Sequence, residues 1–394
     1  MKNRLLLPSL LVLLGACRSP QPTGPDYGRE LPIGAAPLIP LGPGEAFPSV
    51  SEAWLDRVDL FPALKNSIAW TNLPYSEQFF PAAGISHRRA LASLKRFHQL
   101  LEQCQTGAEF QAAVEAEFDC YKSAGWDGRG GGVLFTGYCT PVLDGSLKPD
   151  ASYRYPLYAL PPDLVKASDG TILGRKTPTG IEPYPTRREI ESSGMLEGQG
   201  LELVWLRDPL DAFIAHVNGS AFVRTQDGTE LRFGYAGKNG QPYTSMGGEL
   251  VRDGRISRDA LSLGTLRAWA SQNPGLVEEY THRNDSYVFF TPIDGNPRGS
   301  LNLEVQAHRT IATDKTLFPR GALVVVDTIL PMSGGGYMPF QQVMLDQDTG
   351  GAIRTAGRAD IYLGVGHSAE RLAGTTRSEG QMYYLFLKSE SLQP

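Results

Sequence analysis

Of 394 residues only four are cysteine, at 17, 104, 120 and 139, and six are histidine. No HExxH, no CxxC and no paired CxxC set occurs. Dedicated zinc sites draw on such closely spaced ligands, so no metal is expected. GxxxxGK[ST] is absent too, which argues against a P-loop nucleotide hydrolase. A positive charge excess is also missing: 37 Lys and Arg stand against 42 Asp and Glu, a formal net charge of −5. Such a chain suits a phosphate backbone poorly, so nucleic acid is not an expected partner. Past the N-terminus there is no second long apolar run and no internal repeat. What remains is 41% hydrophobic and 20% charged, an ordinary globular composition. At roughly 100–200 residues per domain, the length predicts two domains or one large interrupted domain.

The chain starts MKNRLLLPSLLVLLGAC. Lys2 and Arg4 make a basic start, and residues 5–14 are apolar, short of the roughly 20 that span a bilayer. Leu14-Gly15-Ala16-Cys17 resembles the lipobox of bacterial lipoproteins. The resemblance implies cleavage before Cys17 and its lipidation, hence an anchored chain and not a spanning one. Residues 1–17 are read as leader and lipidated cysteine. Residues 18–50, rich in Pro and Gly and without periodicity, are read as a flexible linker. An exported compartment is oxidising, so Cys104 and Cys120 could pair and leave Cys139 over; three small buried thiols are the alternative.

Ser86 is positioned to cap a helix over HRRALASLKRFHQLLEQC, with Leu91, Leu94, Phe97 and Leu101 at helical spacing. Thr106 is positioned to cap a second, with Phe110, Val114 and Phe118 on one face. A third helix is predicted over 257–272. From about 131 the texture becomes short β runs broken by Gly, Pro and Asp: GGVLFTGYC, LELVWL, AFIAHV, AFVRT, TELRFGY, SYVFF, LNLEV, ALVVVDTI and QQVMLDQ. Asp227-Gly228 between two of them signals a hairpin. Tyr287-Val288-Phe289-Phe290 reads as a core strand, and His216, His308 and His367 as packed or surface residues.

Three short motifs in the C-terminal third each hold an aspartate: Arg309-Thr310-Ile311-Ala312-Thr313-Asp314, Asp348-Thr349-Gly350-Gly351-Ala352-Ile353, and Arg358-Ala359-Asp360-Ile361-Tyr362-Leu363-Gly364. Upstream, in order, stand Phe135-Thr136-Gly137-Tyr138-Cys139-Thr140-Pro141, Tyr155-Pro156-Leu157-Tyr158, Arg187 with Glu189-Ile190, Val217-Asn218-Gly219-Ser220, and Gly234-Tyr235-Ala236-Gly237-Lys238-Asn239-Gly240. Together they resemble the membrane-bound lytic murein transglycosylase A family, with its "3D" aspartate region. Departures are Cys139 for a second aromatic, Asn218 for Gln, and Ala221 for Gly.

The resemblance implies a mainly β fold: a double-psi β-barrel domain with an inserted second all-β domain and a few covering helices. The barrel domain would take residues 51–140 and 286–394, and the insert 141–285, with a substrate groove between them. It also implies cleavage of the β-1,4 bond between N-acetylmuramic acid and N-acetylglucosamine, leaving 1,6-anhydromuramoyl ends. Since the sugar's own C6 hydroxyl attacks, a single carboxyl group can act as acid and then as base, given a raised pKa. Asp360 matches the family's catalytic aspartate. Asp348 and Asp314 would support it, and Thr136, Gly137, Tyr138, Ser220, Lys238 and Asn239 would bind substrate. No cofactor is implied. The implied partners are peptidoglycan glycan strands and, through lipid on Cys17, a membrane. A periplasmic monomer at the outer membrane is expected. Two other readings stay open: a water-using muramidase with Asp348 as base, and a non-catalytic polysaccharide-binding lipoprotein.

Overall fold

The computed structural model describes residues 24–391 except 168, 169, 333 and 352. The leader and Cys17 lie outside the described residues. Before the insert come strands β1 (Leu38–Pro40), β2 (Phe118–Ser123) and β3 (Val133–Thr140). The insert supplies β4 (Val142–Ser146), β5 (Tyr155–Tyr158), β6 (Leu164–Lys166), β7 (Ile172–Thr177), β8 (Gly180–Glu182), β9 (Glu202–Leu206), β10 (Ala221–Thr225), β11 (Glu230–Lys238) and β12 (Val288–Pro292). The chain then returns through β13 (Thr310–Ala312), β14 (Leu323–Pro331), β15 (Tyr337–Asp348), β16 (Arg358–Val365) and β17 (Arg377–Leu387).

The first and last groups form one sheet, β1-β2-β17-β14-β15-β13-β16-β3, which β17 closes by also pairing with β3. The continuous apolar run of β14 follows from burial on both faces. Val324 and Val326 point into the barrel with Phe135, Ile361 and Met382. Leu323 and Val325 alternate outward, onto Leu64, Leu94, Phe97 and Val114 of the covering helices. Helix His87–Gln103 starts where expected, with the Ser86 side chain accepting from Arg89 N–H. Thr106 caps helix Gly107–Glu117 in the same way.

The insert is built on a second six-stranded sheet, β12-β11-β10-β4-β9-β5, beside a three-stranded one, β6-β7-β8. A single bridge, Ala159 to Phe290, links its two ends. Asp227-Gly228 makes the expected turn between β10 and β11, with Gly228 at φ 85°.

Several expectations are corrected. The stretch 24–50 is not a free linker throughout: Leu38 is buried, and β1 adds to the sheet edge against β2. The insert runs past 285, because β12 pairs with β11 and not with the barrel. AFIAHV is helical, in helix Pro209–Asn218, capped by Asp208 with Pro209 in its first turn. LNLEV forms only an isolated bridge, Arg298 to Glu304. The third predicted helix begins later, at Leu263, capped by Ser262. Phe118 leaves its helix to start β2. Cys104, Cys120 and Cys139 are free and buried. Burial pushes the Cys120 and Cys139 thiols up to about 12.

Candidate active site

Four neighbouring barrel strands bring the candidate side chains together. β13 lies between β15 and β16, and its Ala312 pairs with Asp348 on one side and Asp360 on the other. β3 runs parallel to β16 with Thr136 opposite Asp360 and Tyr138 opposite Tyr362. Because strand side chains alternate, Thr136 and Tyr138 share a face and Gly137 takes the other.

Thr136 Oγ1 donates to Asp360 Oδ1. Arg358 Nη2 reaches Thr136 Oγ1 at 3.4 Å, and the Arg358 Nε is buried without a partner. Asp360 is half-buried. Burial raises its pKa, and the Asp348 charge adds to the rise; the Arg358 charge and the Thr136 bond oppose it. Neither opposing group forms an ion pair that would fix the carboxyl as a carboxylate. A proton can thus be held at Asp360 and given up within the site.

Asp348 is differently placed. Its Oδ2 accepts from Tyr138 Oη at 2.8 Å, and its Oδ1 from the Ser300 and Thr349 N–H groups, both at 2.8 Å. Burial raises its pKa against those bonds. Asp314 is buried in a turn. Its Oδ1 accepts from the N–H and hydroxyl of Thr316, and its Oδ2 from Thr355 N–H at 3.1 Å. Thr355 holds a φ of 130°, which a β-branched residue rarely adopts. Asp314 therefore braces the bend that leads into β16 and makes no hydrogen bond to Asp360 or Asp348.

Of the expected substrate contacts, three face elsewhere. A Cβ on Gly137 would lie 2.4 Å from Leu363 Cδ1 and 2.9 Å from Ala373 Cα, so Gly137 admits the helix Gly366–Thr375 and not a ligand. The Asn239 amide donates to the Pro185 and Asp285 carbonyls at 2.8 Å and accepts from Tyr287 N–H at 2.8 Å. It is a buried brace. Ser220 is buried against Thr140, at 3.3 Å. Thr136, Tyr138 and Lys238 remain available. Lys238, at the end of β11, is half-buried; burial lowers its pKa, and the nearby Arg354 charge lowers it further.

Three further features take no site role from the sequence, although Pro242-Tyr243 belongs to the family's motif. Lys315 and Asp346 form a buried ion pair, which Thr313 and Tyr384 join through the aspartate. The D-x-D spacing of Asp346 and Asp348 was its only signal, since alternation puts both on one strand face. Tyr243, from the insert, packs on the backbone of Gly351: a Cβ there would sit 3.4 Å from the tyrosine. Arg354 lies in the same loop, its Nε 3.3 Å from Gly351 O. Among the described residues no three His, Cys, Asp or Glu converge as a metal would need. A cavity of about 1020 Å³ lies elsewhere, lined by Asp144, Arg267, Met332 and Glu370 among others, and by none of the three aspartates. Chemistry, not cavity size, selects the aspartate site.

Two family models match this architecture in order. The MltA specific insert domain covers residues 134–291, and the 3D domain covers 309–386. The chain belongs to the membrane-bound lytic murein transglycosylase A family. The match to the insert model begins within β3 and ends within β12. A relative from Vibrio cholerae serotype O1, named membrane-bound lytic murein transglycosylase A, is 29% identical over 399 residues, covering 100% of this chain and 97% of its own. Its namesake from Escherichia coli K12 is 29% identical over 294 residues, 73% of this chain and 75% of its own. Among solved structures, a membrane-bound lytic murein transglycosylase from Agrobacterium tumefaciens superposes with a TM-score of 0.73 at 28% identity, over 86% of this chain and 97% of that one. E. coli MltA with bound chitohexaose shares the fold, with a TM-score of 0.67 at 24% identity over 93% and 99%.

Proposed function

We propose that this chain cleaves peptidoglycan glycan strands as a lytic transglycosylase, with Asp360 as the single acid and then base. The observation that carries the reading is the half-buried Asp360 carboxyl, raised by burial and held by Thr136 without an ion pair. Protonated, it donates to the glycosidic oxygen as the bond to C1 breaks. As a carboxylate it takes the proton from the C6 hydroxyl, whose oxygen closes the 1,6-anhydro ring on C1. Protons balance within the sugar and Asp360, and no water enters. Arg358, whose charge acts on Asp360 without an ion pair, stabilises its carboxylate form between the two steps.

Asp348 weighs against a water-using muramidase. Both its oxygens are engaged by Tyr138, Ser300 and Thr349, so it has little freedom to activate a water. Its bonds instead fix Tyr138, whose hydroxyl end is tied down while its ring flanks Tyr362 at 5.1 Å. Lys238 and Arg354 put two cations at the seam between insert and barrel, suited to the carboxylate that distinguishes muramoyl glycans from neutral ones. Cys17 would tether the enzyme to the outer membrane on the periplasmic side. The deciding experiment is mass spectrometry of products from purified sacculi. Anhydro ends, one water lighter than reducing ends, are expected; reducing ends alone would sink the mechanism.

A further inference from the structure

The hairpin between β14 and β15 leaves the barrel as an uncharged tip. From Thr328 to Leu345 the sequence TILPMSGGGYMPFQQVML contains no Asp, Glu, Lys or Arg. Soluble surfaces intersperse charge, and single exposed apolar residues need no explanation. Here four occupy one hairpin: Ile329, 41% exposed, and Tyr337, 58%, on one face, Met338, 51%, on the other, and Met332, 47%, at the turn. Val58, 74% exposed, lines a hollow with Met338 on that second face. Tyr and Met suit the boundary between water and lipid: one is amphipathic, the other flexible and polarisable.

The occupant is indicated by where the chain enters. Tyr27, near the first described residue, donates its hydroxyl to Glu379 on β17. The Glu379 carbonyl accepts from Thr328 Oγ1 at 3.2 Å, at the base of the hairpin. The entering chain and the hairpin base thus share one end of the barrel. Cys17 lies about ten residues before Tyr27, so extended chain reaches at most about 35 Å. The tip stands about four residues beyond Thr328, roughly 13 Å along a strand. A bilayer holding lipid on Cys17 is within reach of the tip.

We infer that the hairpin tip, Ile329, Met332, Tyr337 and Met338, docks into the headgroup layer of a lipid bilayer, so that the barrel is held to the membrane at a second point. The inference goes beyond the glycan-cleaving reading. It uses the tether for its geometry, so the experiment separates the two. The chain without residues 1–17, which retains every described residue, is mixed with vesicles of phosphatidylethanolamine and phosphatidylglycerol and sedimented. The parent chain is expected to partition onto them, and a Tyr337→Glu/Met338→Glu variant at least tenfold less, with cleavage of soluble glycan unchanged as the fold control. In a second measurement, a Tyr337→Trp variant gains emission that lipids brominated near the headgroup quench. A parent chain that stays in solution, a charged variant that binds as well as the parent, or an unquenched Trp would each overturn the inference. Because Cys17 is absent, none of these outcomes bears on the lipid anchor.

Discussion

The eight-stranded barrel sheet and the six-stranded insert sheet are held shut by different means. In the barrel, β17 pairs with β3 over Arg377–Gly380, so the hydrogen-bond ladder runs round without a gap. In the insert, one bridge at Ala159 and Phe290 joins the ends. The barrel is packed inside and, under its helices, outside. The insert divides its apolar residues into three separate clusters. Buried charge follows the same division. The barrel keeps a lysine–aspartate pair, Lys315 with Asp346, two residues before Asp348 on β15. The insert keeps Arg187, bonded to Glu191 and the Ser286 carbonyl at 2.9 Å, its guanidinium carbon 4.9 Å from the Tyr287 ring centroid. A closed ladder of this kind suits the precise placement that the proposed acid, Asp360, requires.

The comparison breaks most severely at the acid. Asp360→Asn is expected to lower the turnover of sacculi by about 10³-fold, about 4 kcal/mol, with glycan binding retained. A turnover assay beside a binding assay checks it; an active variant would place the chemistry outside the barrel. Next comes the barrel's buried pair. Asp346→Ala leaves the Lys315 ammonium unpaired in the core, at a cost of about 3 kcal/mol read by urea unfolding. The insert's own brace should matter less. Asn239→Ala strips the Pro185 carbonyl and the Tyr287 N–H of their partner and leaves the Asp285 carbonyl only the Arg187 N–H, at about 2 kcal/mol on the same scale. Equal losses for the two variants would undo the contrast between the domains.

Smaller effects test the wall between them. Lys238→Gln is expected to weaken binding of carboxylate-bearing glycan about tenfold, about 1.4 kcal/mol, and to leave a neutral chito-oligosaccharide unaffected. Titration calorimetry with both ligands separates the outcomes. Smallest is a displacement in pH. In the proposed mechanism Asp360 carries its proton at the start, so cleavage is expected to fall as pH rises through its pKa. The Arg358 charge lowers that pKa, so Arg358→Gln moves the falling limb to higher pH, as a pH–rate profile would record. A limb that stays in place would detach Arg358 from the acid.

The three aspartates were legible because each sits in a local run of residues. Their division of labour was not, since it depends on contacts across the fold. Nothing near Asp314 in sequence announces Thr355, and nothing near Asp348 announces Tyr138 or Ser300. Asn239 and Gly137 read as ligand contacts because amides and glycines serve sugars. The same properties suit a backbone brace and a close helix contact, and only packing distinguishes the uses. The apolar run of AFIAHV reads as a strand, although Asp208-Pro209 just before it carries the helix signal. The β-rich texture and the interrupted domain were legible, while the exit from the insert was not, because SYVFF suits either sheet equally well.

Thr136 and Asp360 are 224 positions apart, and the whole insert lies between them. Contacts this distant form only after a large loop has closed, so this part of the barrel belongs to the late events of folding. A chain cut short anywhere before β16 carries no acid, and one cut before β17 has no strand to seal the ring. The ring, and with it the seat of the proposed acid, is complete only when the last strand is in place.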